Sequence, residues 1–137
     1  MRKTELFFPF KPVPKGRPRF TRTGHTYTPQ STQDYENKIT EYYKENCSDF
    51  YDGAIKVNLI FNMPIPKSIT KKTRNAIMLG EIKYIKKPDC DNLAKSFTDA
   101  LNGIAYSDDC LITRLCIEKR YSDSAVGTLL TITEDVD

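Results

Sequence analysis

Apolar and polar residues alternate with a period that changes several times along this chain, and each change marks an element. The aromatic run "TELFFPF" reads as a first strand, cut short by Pro9. In "AIKVNLIFNMP", Ile55, Val57, Leu59 and Phe61 take every second position, which predicts a strand with one apolar face, ended by Pro64 and Pro66. "CLITRLCIEKRY" and "AVGTLLTITE" read as two more strands, and the "SDSA" between them predicts a hairpin. Helical spacing occurs three times. Tyr35, Ile39, Tyr42 and Tyr43 share a face of "STQDYENKITEYYKENC", with Ser31 or Thr32 as the expected cap. "SITKKTRNAIMLGE" predicts a short helix ending near Gly80. Leu93, Phe97, Ala100, Leu101 and Ile104 form the apolar stripe of a third helix, closed by Gly103 and "AYSDD".

Between the first strand and the first helix lies "KPVPKGRPRFTRTGHTYTPQ". Its Pro12, Pro14, Pro18 and Pro29, with Gly16 and Gly24, exclude a helix and predict an extended, exposed loop with a small hairpin around Gly24. The order strand, loop, helix, strand, helix, helix, strand, strand predicts a two-layer α+β fold, a mixed β-sheet packed against helices. A length of 137 residues with no linker-like stretch fits a single domain over residues 1–137.

Composition narrows the classes. Hydrophobic residues at 39% with charged residues at 28% exclude a disordered chain. No apolar stretch is long enough to cross a membrane, so no membrane partner is expected. Cys47, Cys90, Cys110 and Cys116 show neither CxxC nor zinc spacing, and the basic N-terminus lacks a secretory pattern. Reduced thiols and a cytoplasmic location follow as the expectation.

The net charge of +3 says less than its distribution. Arg2, Lys3, Lys11, Lys15, Arg17, Arg19 and Arg22 crowd the first part of the chain against Glu5 alone. Lys67, Lys71, Lys72, Arg74, Lys83, Lys86 and Lys87 form a second basic region, and Asp89, Asp91, Asp99, Asp108 and Asp109 follow it. Clustered cations are the footprint of a polyanion binder. In the loop, Lys15, Arg17, Arg19 and Arg22 alternate with Phe20 and Tyr27: guanidinium forks suit phosphate oxygens, aromatic rings suit exposed bases, and Gly16 allows close backbone approach. A solvated loop or a subunit contact is the plain alternative. His25, the one histidine, reads as a surface or turn residue.

The segment "KKPDCDNLAKSFTDAL" carries two readings. In the first, Asp89 after Pro88 is an N-cap, Asp91 favours the positive helix end, Asp91 and Lys95 form an i,i+4 ion pair, and Asp108 and Asp109 are turn residues. In the second, Asp89 and Asp91 are ligands of a metal. Within a helix they would diverge by about 200°, so a paired site needs an extended approach to the helix, where side chains two apart share a side. Mg²⁺ prefers oxygen ligands, neutralises charge on an attacked phosphate and acidifies bound water, while a nearby lysine steadies the phosphate. A DxD with a later D also fits sugar-transfer and structural sites. Cys90 between the two aspartates reads as a small core residue, because carboxylates raise a thiol pKa.

The longer string "KKPDCDNLAKSFTDALNGIAYSDDCLI", with "PKGRPRFTRTGHTYTP" upstream, resembles the RusA-type Holliday junction resolvases (crossover junction endodeoxyribonucleases), in particular their phage and prophage branch. The likeness covers most of the chain. It implies a small α+β homodimer that cuts four-way DNA symmetrically with Mg²⁺, or Mn²⁺ in its place, in recombination and repair. Residue by residue it assigns Asp89, Asp91 and Asp109 as metal ligands, with Asp108 as the alternative third ligand because the spacing to "DD" is slightly short. Lys95 matches the lysine needed for cleavage, and Asp99 matches an aspartate expected to orient or cap. Lys15, Arg17, Arg19, Arg22, Lys86 and Lys87 are the expected DNA contacts. Cys90 stands where leucine is frequent. A non-catalytic basic nucleic-acid-binding protein is the competing function.

Overall fold

A computed structural model describes residues 2–17 and 19–136; Pro18, counted above among the loop prolines, lies outside the described residues. The elements follow in the order β1 (Lys3–Phe8), β2 (Arg19–Phe20), β3 (Thr26–Tyr27), α1 (Gln30–Asn46), β4 (Ile55–Pro64), α2 (Lys71–Met78), α3 (Cys90–Leu101), β5 (Ile112–Ser122) and β6 (Gly127–Glu134). Four strands make one mixed sheet in the order β1-β6-β4-β5, and β2 pairs with β3 as the hairpin expected around Gly24. This is the α+β, two-layer arrangement that the order of elements predicted.

The central strand explains the layering. Along β4, Ile55, Val57, Leu59, Phe61 and Met63 are buried at every second position, and α1 and α3 cover that face. From the helices come Tyr35, Ile39 and Tyr43 of α1, then Leu93, Phe97, Ala100 and Leu101 of α3, all buried as their spacing predicted. Ile104 lies beyond the end of α3 and is only partly buried. Thr40 of α1 donates to the Ala100 carbonyl at 2.8 Å, tying the two helices together. The cap of α1 differs from expectation: the helix starts at Gln30 after Pro29, and Thr32 is buried within its first turn. Thr70 caps α2 by accepting from the Thr73 N–H, and Gly80 with φ +76 follows the helix end.

The expected hairpin of the last two strands is a correction. β5 and β6 are not neighbours; β4 lies between them, parallel to β5 and antiparallel to β6. The four residues 123–126 arch over the end of β4 instead of turning tightly. Two strand spacings are about 10 Å, which four extended residues span easily. The apolar β4 gains a hydrogen-bonded neighbour on each side, and a turn signal cannot specify that choice. The parallel pair β4–β5 requires a crossover, and the intervening chain supplies it with α2 and α3. Among the described residues, no helix is long and apolar enough to cross a membrane.

Gly127 opens β6 with φ +151, where a Cβ would collide with the Phe8 carbonyl oxygen and lie 2.7 Å from the Phe7 ring. Gly127→Ala is therefore expected to destabilise the fold by about 2–3 kcal/mol. A urea unfolding midpoint equal to that of the parent chain would refute this.

Candidate active site

Asp89 is the N-cap residue of α3, in an extended conformation with φ −72 and ψ 153. Its side chain makes no capping hydrogen bond. Asp91 follows in the first turn of the helix and is exposed. The i,i+4 pair expected with Lys95 is absent among the described residues. Lys95 Nζ bonds Asp99 instead, at 3.0 Å. Both carboxylates at the head of α3 thus keep their oxygens free of the partners that a purely capping role would give them.

The approach to α3 is held from the sheet. Lys119 of β5 donates to the carbonyls of Lys86 at 2.7 Å and Pro88 at 3.0 Å. Tyr84 stacks edge-on against Tyr121 with ring centroids 4.9 Å apart, and its hydroxyl donates to the Lys87 carbonyl at 3.1 Å. Burial, then the neighbouring Tyr121, raises the Tyr84 hydroxyl pKa. Sequence reasoning missed Lys119. The readable signal was its period-two position between Ile117 and Tyr121; that it pairs with Phe61 on the helix-facing side of β5, an unusual place for a lysine, comes from the sheet.

The proline-rich loop is clamped to both helices. Ser96 of α3 donates to the Val13 carbonyl at 3.1 Å, and the Lys15 N–H donates to the Asn92 carbonyl at 2.9 Å. Lys15 Nζ pairs with Glu36 of α1 at 2.6 Å and with Asp99 of α3 at 3.1 Å. Burial pulls the Lys15 ammonium pKa down, but these two carboxylates outweigh it and hold the pKa above its usual value. Lys15, expected to grip phosphate, thus spends its charge inside the protein and fixes the loop. Gly16 likewise meets the protein first: its N–H donates to Thr32 Oγ1 at 2.9 Å, and a Cβ there would crowd Thr32 and Pro29.

The clamp opens one groove of about 650 Å³, lined by Pro14, Lys15, Arg17, Lys87, Pro88, Asp89 and Asn92. Arg17, Lys87 and Asp89 are exposed along it. Lys86 is exposed beside Lys87. Arg19 lies in β2 and Arg22 in the turn after it, both exposed, as are Phe20 and Tyr27. His25 is an exposed residue at the edge of that hairpin turn, as expected.

The acidic positions after α3 lie on a short turn that leads into β5. Asp109 begins a single 3-10 turn, Asp109–Leu111, with Asp108 before it. The Tyr106 hydroxyl donates to the Thr98 carbonyl at 2.8 Å, and burial, then Asp109 and Asp99, raise its pKa. Asp109 is thus within electrostatic reach of the Tyr106 hydroxyl, which is bonded to α3 at Thr98. Asp108 is exposed, and its carboxyl is held below the ordinary value first by the Cys110 thiol, then by Asp109. That contact pushes the Cys110 thiol up, against a nucleophilic role. Among the described residues, no three carboxylate, thiolate or imidazole groups form a ready-made metal cluster. The donor chemistry still suits a hard cation. Asp89 and Asp91 offer only oxygen, and Mg²⁺ takes one or two carboxylates with water and substrate phosphate.

The chain matches known proteins over most of its length. The family described as Endodeoxyribonuclease RusA matches residues 9–133. The chain is also similar to the uncharacterized protein YqaN of Bacillus subtilis (strain 168), 29% identical over 119 residues that cover 82% of this chain and 84% of that protein.

Proposed function

The chain belongs to the RusA endodeoxyribonuclease family, and from that premise we propose that it is a Mg²⁺-dependent endonuclease that resolves Holliday junctions or other branched DNA. The observation that carries the reading is the groove that Arg17 and Lys87, from distant parts of the chain, line together with Asp89. Cations place the DNA backbone there, and the carboxylate at the head of α3 places the chemistry beside it. A helix N-terminus also favours ionised carboxylates, which a metal site needs.

Asp89 and Asp91 would hold the cation, with Asp109 as third ligand and Asp108 as its alternative. Mn²⁺ is expected to substitute for Mg²⁺. A bound cation there would neutralise phosphate charge and lower the pKa of a coordinated water. The protein's own groups do the rest. Lys95, one turn beyond Asp91 and exposed, would exchange or share its Asp99 partner to steady the scissile phosphate. Arg17, Arg19, Arg22, Lys86 and Lys87 bind the backbone on either side. Lys15 keeps the loop against α1 and α3. A homodimer suits the task, since two sites related by a two-fold axis match the two equivalent strands of a junction. Recombination and repair in the cytoplasm are the corresponding setting.

The test is a labelled four-way junction incubated with purified protein. Paired nicks are expected in Mg²⁺ and none in EDTA, with binding that weakens steeply as salt rises. Salt-sensitive binding without nicks, across several junction sequences, would instead mark a non-catalytic nucleic-acid-binding protein.

A further inference from the structure

Nine large hydrophobic side chains are exposed among the described residues, and four of them fall in one short run: Met78 (53%), Leu79 (74%), Ile82 (39%) and Ile85 (88%). Single exposed apolar residues need no explanation, but a contiguous group does. This group forms the end of α2 and the chain after it. The same segment, residues 67–87, carries seven lysines and arginines against the acid Glu81. It stands off the sheet over a crevice of about 510 Å³ against β5. Its far end is rigidly attached. Tyr84 packs on Tyr121 and bonds the Lys87 carbonyl, and Lys119 bonds the Lys86 and Pro88 carbonyls. Ile85 is four residues from Asp89, so their Cα atoms are within about 14 Å even in a fully extended chain.

We propose that this lobe is a wedge for opened DNA: its lysines hold the phosphates flanking the branch while Leu79, Ile82 and Ile85 insert against unstacked bases beside the cleavage groove. Apolar wedges framed by cations unstack base steps in this manner. Two observations favour DNA over a second copy of the chain. The lobe runs directly into Lys87, which lines the groove with Asp89. Two such lobes meeting across a two-fold axis would also set their cation clusters against each other, which opposes association. The inference rests on the reading of the chain as a branched-DNA endonuclease and adds how the branch point is recognised.

The test is binding of the Leu79→Ser, Ile82→Ser and Ile85→Ser triple variant in EDTA, so that its outcome does not depend on cleavage. The probe is a four-way junction carrying 2-aminopurine at the branch, with linear duplex as the control. The parent chain is expected to raise 2-aminopurine fluorescence on binding. The triple variant is expected to abolish that rise and to bind the junction about tenfold more weakly, with duplex affinity changed less than about twofold. Equal fluorescence and equal junction affinity in the two proteins would overturn the wedge, even if the parent chain cuts junctions in Mg²⁺. A loss of dimer by sedimentation in the variant, with fluorescence unchanged, would also overturn it and assign the apolar patch to a second copy. Absence of Mg²⁺-dependent nicks with the wedge signal intact would count against the endonuclease reading alone. A circular dichroism melt matched to the parent chain shows that the variant folds, and Leu79→Ser and Ile85→Ser as single variants serve if it does not.

Discussion

Asp91→Asn is expected to bind a four-way junction as tightly as the parent chain, or more tightly, and to cut it on the order of a thousandfold more slowly in Mg²⁺. The side chain is exposed in the first turn of α3 and makes no ion pair with Lys95, so nothing in the packing depends on its charge. Amide for carboxylate preserves shape and the helix. On the proposed mechanism, what it removes is a negative oxygen ligand for a hard cation and the local repulsion of DNA phosphate. The two effects move binding and cleavage in opposite directions, which a folding defect could not do. Cleavage at the parent rate by Asp91→Asn would remove the head of α3 from the chemistry.

The same assay separates the two candidates for the third carboxylate. Asp108 is engaged locally by the Cys110 thiol, as a turn residue is. Asp109 acts on the Tyr106 hydroxyl, which is bonded to α3 at Thr98. On the proposed ligand set, Asp109→Asn is expected to lose cleavage and Asp108→Asn to keep most of it.

Much of this was legible in the chain. The period-two run in β4 and the stripe from Leu93 to Leu101 identified the two layers because their apolar residues face one core. The acidic head of α3 was legible too, through Pro88 and the cap position. Two kinds of information were not. Strand partners are chosen by the whole sheet, so "SDSA" looked like a hairpin although β4 separates β5 from β6. The clamp on the basic loop joins Lys15 to Glu36 and Asp99, three charges with no shared periodicity. In the sequence, Lys15 looked like one more phosphate ligand. The fold turns it inward, and that inward pair is what presents Arg17 to the groove.

The second large effect belongs to Phe97, which links the fold to the site. It is 1% exposed, on the inner face of α3, and its ring packs edge-on against Phe8 at 5.0 Å and near Phe61 at 5.8 Å and Tyr35 at 6.1 Å. These partners come from β1, β4 and α1, so a single ring joins three of the elements that α3 rests on. Phe97→Ala removes that ring and leaves a cavity the strands cannot close, at an expected cost of about 3–5 kcal/mol. For a chain of this length that corresponds to a melting temperature lower by roughly 10–20 °C. Phe97→Leu retains most of the volume and is expected to lose well under half as much. Where the alanine variant still folds at low temperature, its junction cleavage should fall more than its junction binding, because α3 carries Asp91 and Lys95 while the proposed phosphate contacts lie in the basic segments. A melting temperature within a few degrees of the parent chain would show that Phe97 is not the keystone of this interface.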